Sequence, residues 1–279
     1  MADSVAYRPT TPRPWLAAYT LCARELVRFF RQPNRVLGAI GQPLIFWILF
    51  GAGMSSFRMQ NSGNSSPAWY REYYFPGTIV LIILFTAIFA TISIIEDRRE
   101  GFLQSVLVAP LPRWSMVLGK LLGGTLIALI QAAIFLVLGL TLGLRFSPLT
   151  LGAIVLWLFV ISLALTTLGF VIAWRMDSTQ GFHAIMSVFL MPMWLLSGAF
   201  FPAPDNWLGW IIRLNPLTYG VAGLRRLLYW NASEPVPAGA LPSELPAAWL
   251  CGLVMVGFTL LLFAAAWRIS ARRTTGDLL

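Results

Sequence analysis

Apolar residues fall in long unbroken runs, with the polar and charged residues gathered between them. A helix needs about 20 apolar residues to cross a bilayer core. Six runs have roughly that length, at residues 36–54, 75–95, 117–140, 149–174, 182–201 and 247–267. They do not alternate with the period of two expected of barrel strands, so the pattern predicts an all-α membrane protein with six spans. Ahead of the first run, Trp15, Leu16, Tyr19, Leu26, Phe29 and Phe30 mix with Arg24, Arg28 and Arg31 at helical spacing. That predicts an amphipathic helix over 15–31 lying in the membrane interface, stopped by Gln32-Pro33-Asn34. The opening residues 1–14 are rich in Pro, Thr and Arg, with no apolar signal segment, and are expected to be flexible. Residues 15–273 read as one membrane domain, and 274–279 as a tail.

Two stretches break the pattern. "EDRREGFLQSVLVAPLPRW", residues 96–114, puts five charges in succession from Glu96 to Glu100 and ends on a Pro-Leu-Pro stop. As one helix from Asp97 to Val108, it would set Phe102, Leu103, Val106 and Leu107 on one face. Such an apolar knob with a charged collar, joined to two spans, suits a lever that plugs into a moving partner. The plainer reading is an interfacial linker. The second stretch, "FPAPDNWLGWIIRLNPLTYGVAGLRRLLYW", is apolar but divided by proline and charge into pieces too short to cross. Residues 202–230 therefore read as short re-entrant or interfacial helices, followed by a Pro-rich loop.

Composition supports the bilayer as solvent: 58% of the 279 residues are hydrophobic and 11% charged, against roughly 25% charged in soluble domains. The formal charge of +9 does not point to nucleic acid, because the arginines sit at the ends of the runs as orientation signals do. Six crossings put both termini on one side, and that side collects 14 of the 20 basic residues. The positive-inside rule makes it cytoplasmic, together with residues 96–112.

Catalytic chemistry finds little support. His183 has no Cys or His neighbour at metal-ligand spacing. "LGK" at 118–120 lacks the upstream glycine and the following Ser or Thr of a phosphate loop. No acidic pair is placed to hold magnesium on a diphosphate. Cys22 and Cys251 lie too far apart in sequence and depth to suggest a disulfide. The span interiors read as free of charge, with Gln131, Thr86, Thr166 and Thr167 as mild polar residues suited to helix–helix bonds. Any energy for transport then comes from another chain. A lipid-modifying membrane transferase, relying on Glu96, Asp97 and Glu100, or a non-transporting scaffold are the alternatives.

Taken in order, the interfacial helix, the Glu-Gly and Ala-Pro of 96–114, and "LSGAFFPAPDNWLGWIIRLNPLTYGVAGLRRLL" resemble the membrane subunit of type-2 ABC exporters over about 15–268. The resemblance implies a permease for a drug, lipid or polysaccharide, set in the bacterial inner membrane. It implies two copies of a cytoplasmic ATPase that hold the ATP and magnesium, leaving no cofactor in this chain. It also implies a second permease subunit, expected as a homodimer, with the path between the two. By position, Glu96, Arg99, Glu100, Gly101, Phe102, Leu103, Val106, Leu107 and Pro110 would couple to the ATPase. Ser197, Gly198, Phe201, Pro202, Trp207, Asn215, Pro216 and Tyr219 would form an outer gate.

Overall fold

A computed structural model describes residues 13–62, 69–142, 144, 146–201, 203–204, 206–230 and 245–271. Among these residues every regular element is a helix. The helices are α1 (Pro14–Phe30), α2 (Pro33–Ser62), α3 (Trp69–Ala90), α4 (Ile92–Arg99), α5 (Phe102–Val108), α6 (Arg113–Val137), α7 (Pro148–Ala173), α8 (Thr179–Trp194), α9 (Trp207–Leu214), α10 (Pro216–Leu228) and α11 (Ala248–Ala271). A 3₁₀ segment, Leu138–Leu142, follows α6, and a π segment, Leu195–Ala199, follows α8. Pro148 and Pro216 occupy first-turn positions, where the missing N–H costs nothing, and Ser147 and Asn215 cap those helices through their side chains.

Five helices are long and apolar enough to cross a membrane: Glu72–Arg99, Arg113–Leu142, Pro148–Ala173, Thr179–Ala199 and Ala248–Ala271. The apolar part of α2 is shorter, Val36–Phe50. The helical stretch that carries the second span continues through α4 to Arg99, beyond Ile95. The charged run expected to open the linker forms the end of that helical stretch.

Helix α3 is the centre of the bundle, with Ile79 to Leu84 wholly excluded from solvent, and α2, α6 and α7 pack around it. Small residues set the close crossings. A Cβ at Gly119 would fall 2.7 Å from the Ala18 carbonyl oxygen, and one at Gly123 2.7 Å from Glu25 Cβ, so α1 lies directly on α6. Helix α1 turns Ala18, Leu21, Cys22, Glu25 and Phe29 inward, while Trp15, Leu16, Tyr19 and Val27 stay exposed. That outer face, with its aromatic residues, suits a membrane interface.

The bundle has two distinct ends. One gathers α1, α4, α5, the start of α6, the α7–α8 turn and the end of α11, where the Arg113 guanidinium bonds the Ser270 carbonyl. The other gathers the start of α3, the π segment, α9 and α10.

Candidate functional site

At the first end, an ionic cluster joins three helices. Asp97 on α4 is fully buried and accepts from both terminal nitrogens of Arg24, at 2.9 and 2.7 Å, and from Arg28 at 2.8 Å. Lys120 on α6, 6% exposed, donates to Asp97 and also to Glu25 of α1 at 2.5 Å. Arg28 continues to Glu96 at 2.8 Å and reaches Glu100 at 3.5 Å. Burying such charges is costly unless each is paired and hydrogen-bonded; here Arg24, Arg28 and Lys120 are matched by Glu25, Glu96 and Asp97. The Asp97 carboxylate, with its hydrogen bond first, holds the Arg24 guanidinium above its ordinary pKa. On the other flank, Arg98 donates to the Trp174 carbonyl at 2.7 Å, and Arg99 Nε to the Asp177 carbonyl at 3.2 Å. The buried charges lie where span ends meet, not in the span interiors. The charged collar is turned largely toward this chain's own helices, leaving Arg99 and Glu100 exposed.

The chain then bends. Gly101 has φ +75°, so Asp97 to Val108 is not one continuous helix. The glycine is needed for left-handed backbone, which an L side chain resists. Helix α5 ends where Ala109 takes the extended conformation that precedes Pro110. The break also redistributes the expected apolar face. Leu103 is 2% exposed and belongs to this chain's core. Phe102 lies under the Arg24 guanidinium, 3.8 Å from ring centroid to Cζ. Val106 and Leu107 are half-buried, and Val108, absent from the expected set, is 79% exposed. With Ser105 and Pro110 also exposed, the accessible surface of this segment centres on its last turn.

The opposite end is held by side chains bonded to the broken backbone of the π segment. Gly198 has φ +71° and Leu196 leaves helical geometry. Asn215 Nδ2 donates to the Met193 and Leu196 carbonyls at 2.5 and 2.9 Å, while its Oδ1 caps α10 by accepting from the Leu217 N–H. The Gly198 carbonyl accepts from the Tyr73 hydroxyl at 3.0 Å and from Arg225 at 3.3 Å. Ser197 is buried and bonds the Trp194 carbonyl. Phe201 meets Phe200 edge-on, Trp207 is 72% exposed on α9, and the Tyr219 hydroxyl bonds the Arg213 carbonyl at 2.9 Å. Ser197, Gly198, Asn215 and Pro216 are thus brought together, while Trp207 faces outward; Pro202 lies outside the described residues. Sequence reasoning missed Arg225, which is 2% exposed and sits over the Tyr73 ring. The signal available was an arginine on the apolar face of "LRRLL".

Between the ends, Thr86 donates to Gln131 at 2.7 Å, and Thr167 bonds back to the Leu163 carbonyl. His183 lies beside Phe89 and Phe182. Among the described residues, no three His, Cys, Asp or Glu side chains converge as metal ligands do.

The sequence model of the ABC-2 type transporter family matches residues 17–229. The putative transport permease ycf38 of Cyanophora paradoxa is 29% identical over 221 residues, covering 77% of this chain and 74% of that one. The daunorubicin resistance ABC transporter permease protein DrrB1 of Streptomyces coeruleorubidus is 24% identical over 238 residues, 82% and 81% of the two chains. The probable multidrug ABC transporter permease YbhR of Escherichia coli K12 is 28% identical over 157 residues, 54% of this chain and 42% of that one. With the helical bundle and its two ends, this match shows that the chain belongs to the ABC-2 type transporter family and is a membrane permease subunit of an ABC transporter.

Proposed function

We propose that this permease exports a hydrophobic or amphiphilic molecule, driven by a separate cytoplasmic ATPase that binds the ATP and magnesium. Two permease copies, with two ATPase copies, enclose the path. Helix α2 supplies the sixth crossing, and both termini face the cytoplasm of a bacterial cell. The relatives named for daunorubicin and multidrug transport support a drug-like or lipid-like cargo.

The observation that carries this reading is the rigid unit of α1, α4 and α6 around Asp97, with α5 projecting from it past Gly101. A push on α5 is delivered to a charge-locked body continuous with the second and third spans, and so moves helices rather than a loose loop. Glu100, Arg99 and the last turn of α5 meet the ATPase, whereas Glu96 and Leu103 position the element from inside. At the far end, Asn215, Tyr73 and Arg225 hold the end of α8 as the outer gate.

The test is drug accumulation in cells that express the permease with an ATPase encoded beside it. The account expects lower accumulation with the intact pair, and loss of that effect for Val108→Asp at matched expression. Unchanged efflux by Val108→Asp would remove α5 as the coupling surface.

A further inference from the structure

Asp97 and Arg98 are neighbours on α4 and meet different partners. Asp97 closes the ionic cluster with α1 and α6. Arg98 reaches the link between α7 and α8, which is capped at both ends: Trp174 closes α7, and Ser178 accepts the Gly181 N–H of α8 at 3.3 Å. One terminal nitrogen of Arg98 donates to the Trp174 carbonyl at 2.7 Å. The other reaches the Met176 carbonyl and the Asp177 carboxylate, both at 3.3 Å. The guanidinium also lies 5.6 Å from the Trp174 ring centroid, and Arg99 adds a bond to the Asp177 carbonyl at 3.2 Å. A planar guanidinium that engages several acceptors fixes orientation as well as distance. Its side chain is 18% exposed, so water competes weakly for these bonds. The helix beyond the link is held mainly at its ends. The buried residues of α8 form a single row, Phe182, Met186, Leu190 and Trp194, at i, i+4 spacing. Its closest backbone packing is with α4 and with the π segment that follows it, whereas α7 packs along α3, α6, α10 and α11. At the far end of α8, Asn215 bonds the Met193 and Leu196 carbonyls.

We infer that Arg98 is a positioning residue for transport: it passes the displacement of α5 through the α7–α8 link to α8, and so along that helix to the outer end. Helix α4 is thereby joined to α1 and α6 on one flank and to α8 on the other, with α5 just across Gly101. The inference rests on the reading of α5 as the surface that the ATPase engages. The plainer role of Arg98 is to cap the end of α7, where a cation also suits the helix dipole. The two roles are separable, because a cap sets stability but does not make α8 follow α5.

The test is a spin-label distance measurement on the permease reconstituted with its ATPase. Labels are placed at Gln180→Cys at the start of α8 and Leu260→Cys on α11, both exposed, while Cys22 and Cys251 are buried. Dilution with unlabelled permease restricts the reading to distances within one chain. Trapping with ATP and vanadate should shift the distance between the two labels in the wild-type background. Arg98→Gln should abolish the shift while ATP hydrolysis and ATPase co-purification persist. Arg98→Lys keeps the charge but not the fork, and should reduce the shift. A label at Val108→Cys, read separately, should be immobilised by the ATPase in all three backgrounds. With that label immobilised, no shift in the wild type, or an undiminished shift in either variant, would overturn the relay and leave the α5 reading standing. A Val108 label that stays mobile when the ATPase binds would remove that reading, and the relay with it.

Discussion

Arg24 on α1 grips Asp97 on α4 with both terminal nitrogens, across 73 residues of sequence. Bidentate, charge-assisted bonds of this kind fix angle as well as distance. They tie an interfacial helix to the end of a span at the point from which α5 projects.

Removing the shared carboxylate should therefore be costly. Asp97→Asn leaves Lys120 and Arg24 without their common anion in a site where Asp97 is fully buried. Breaking a buried ionic group from one side typically costs about 3–5 kcal/mol. The permease should unfold at a clearly lower temperature in detergent. Adding Lys120→Met should recover part of the loss, because the stranded charge is removed as well. A double variant weaker than the single would mean that Lys120 is held by Glu25 alone.

Cys22 reports on the same joint. It is buried between α1 and α6, and burial first, then the nearby Glu25 carboxylate, push its thiol above the ordinary cysteine pKa. A raised pKa lowers the thiolate fraction at any given pH, so alkylation near neutral pH should be slow. It should accelerate only above the usual thiol range. In Asp97→Asn, α1 should lift more often and labelling at fixed pH should rise. Fast labelling of the wild-type protein at pH 7 would contradict this packing.

Gly101→Ala separates the turn from the helices it joins. The substitution puts a Cβ on left-handed backbone, costing about 1–2 kcal/mol, with Gln104 Oε1 3.3 Å from the new atom. Membrane insertion should be normal while transport falls, and Gly101→Asn should be milder because Asn tolerates this conformation. Equal transport by Gly101→Ala and wild type would show that the angle between α4 and α5 is unimportant.

Five of the six expected spans were legible as long apolar helices because length and apolarity are local properties, and the bilayer imposes them on each helix separately. Helix α1 was legible from its local amphipathic spacing. Asp97 was not. Its environment is made by Arg24, Arg28 and Lys120, which come from other helices, so a run of charges that looked solvent-facing is largely internal. Periodicity placed Leu103 on an apolar face but could not show that the bend at Gly101 turns it into the core, leaving Val108 exposed. Arg225 was counted only as one of the six basic residues on the side opposite the termini. Its burial depends on the Tyr73 and Gly198 carbonyls, contributed by distant segments.

Asn215 has two separable tasks at the gate, capping α10 and holding the π segment. Asn215→Asp keeps the capping oxygen for the Leu217 N–H but loses the donor to the Met193 and Leu196 carbonyls. If the latch matters, Asp should destabilise at least as much as Ala, since its carboxylate faces two carbonyl oxygens. The cap alone is worth about 1 kcal/mol. Thermal unfolding of both variants distinguishes the tasks: wild-type stability in Asp with a loss in Ala would leave only the cap.

The central claim is that α5 is where a separate ATPase engages. It is tested most directly by placing a photo-crosslinking amino acid at Ser105, at Val108 and, at the opposite end, at Trp207, all exposed, and irradiating intact membranes that contain the native partner. The account predicts an adduct with an ABC ATPase from Ser105 and Val108, lost when ATPase expression is silenced, and none from Trp207. An ATPase adduct from Trp207, or no adduct from the α5 positions while the ATPase still co-purifies, would contradict it.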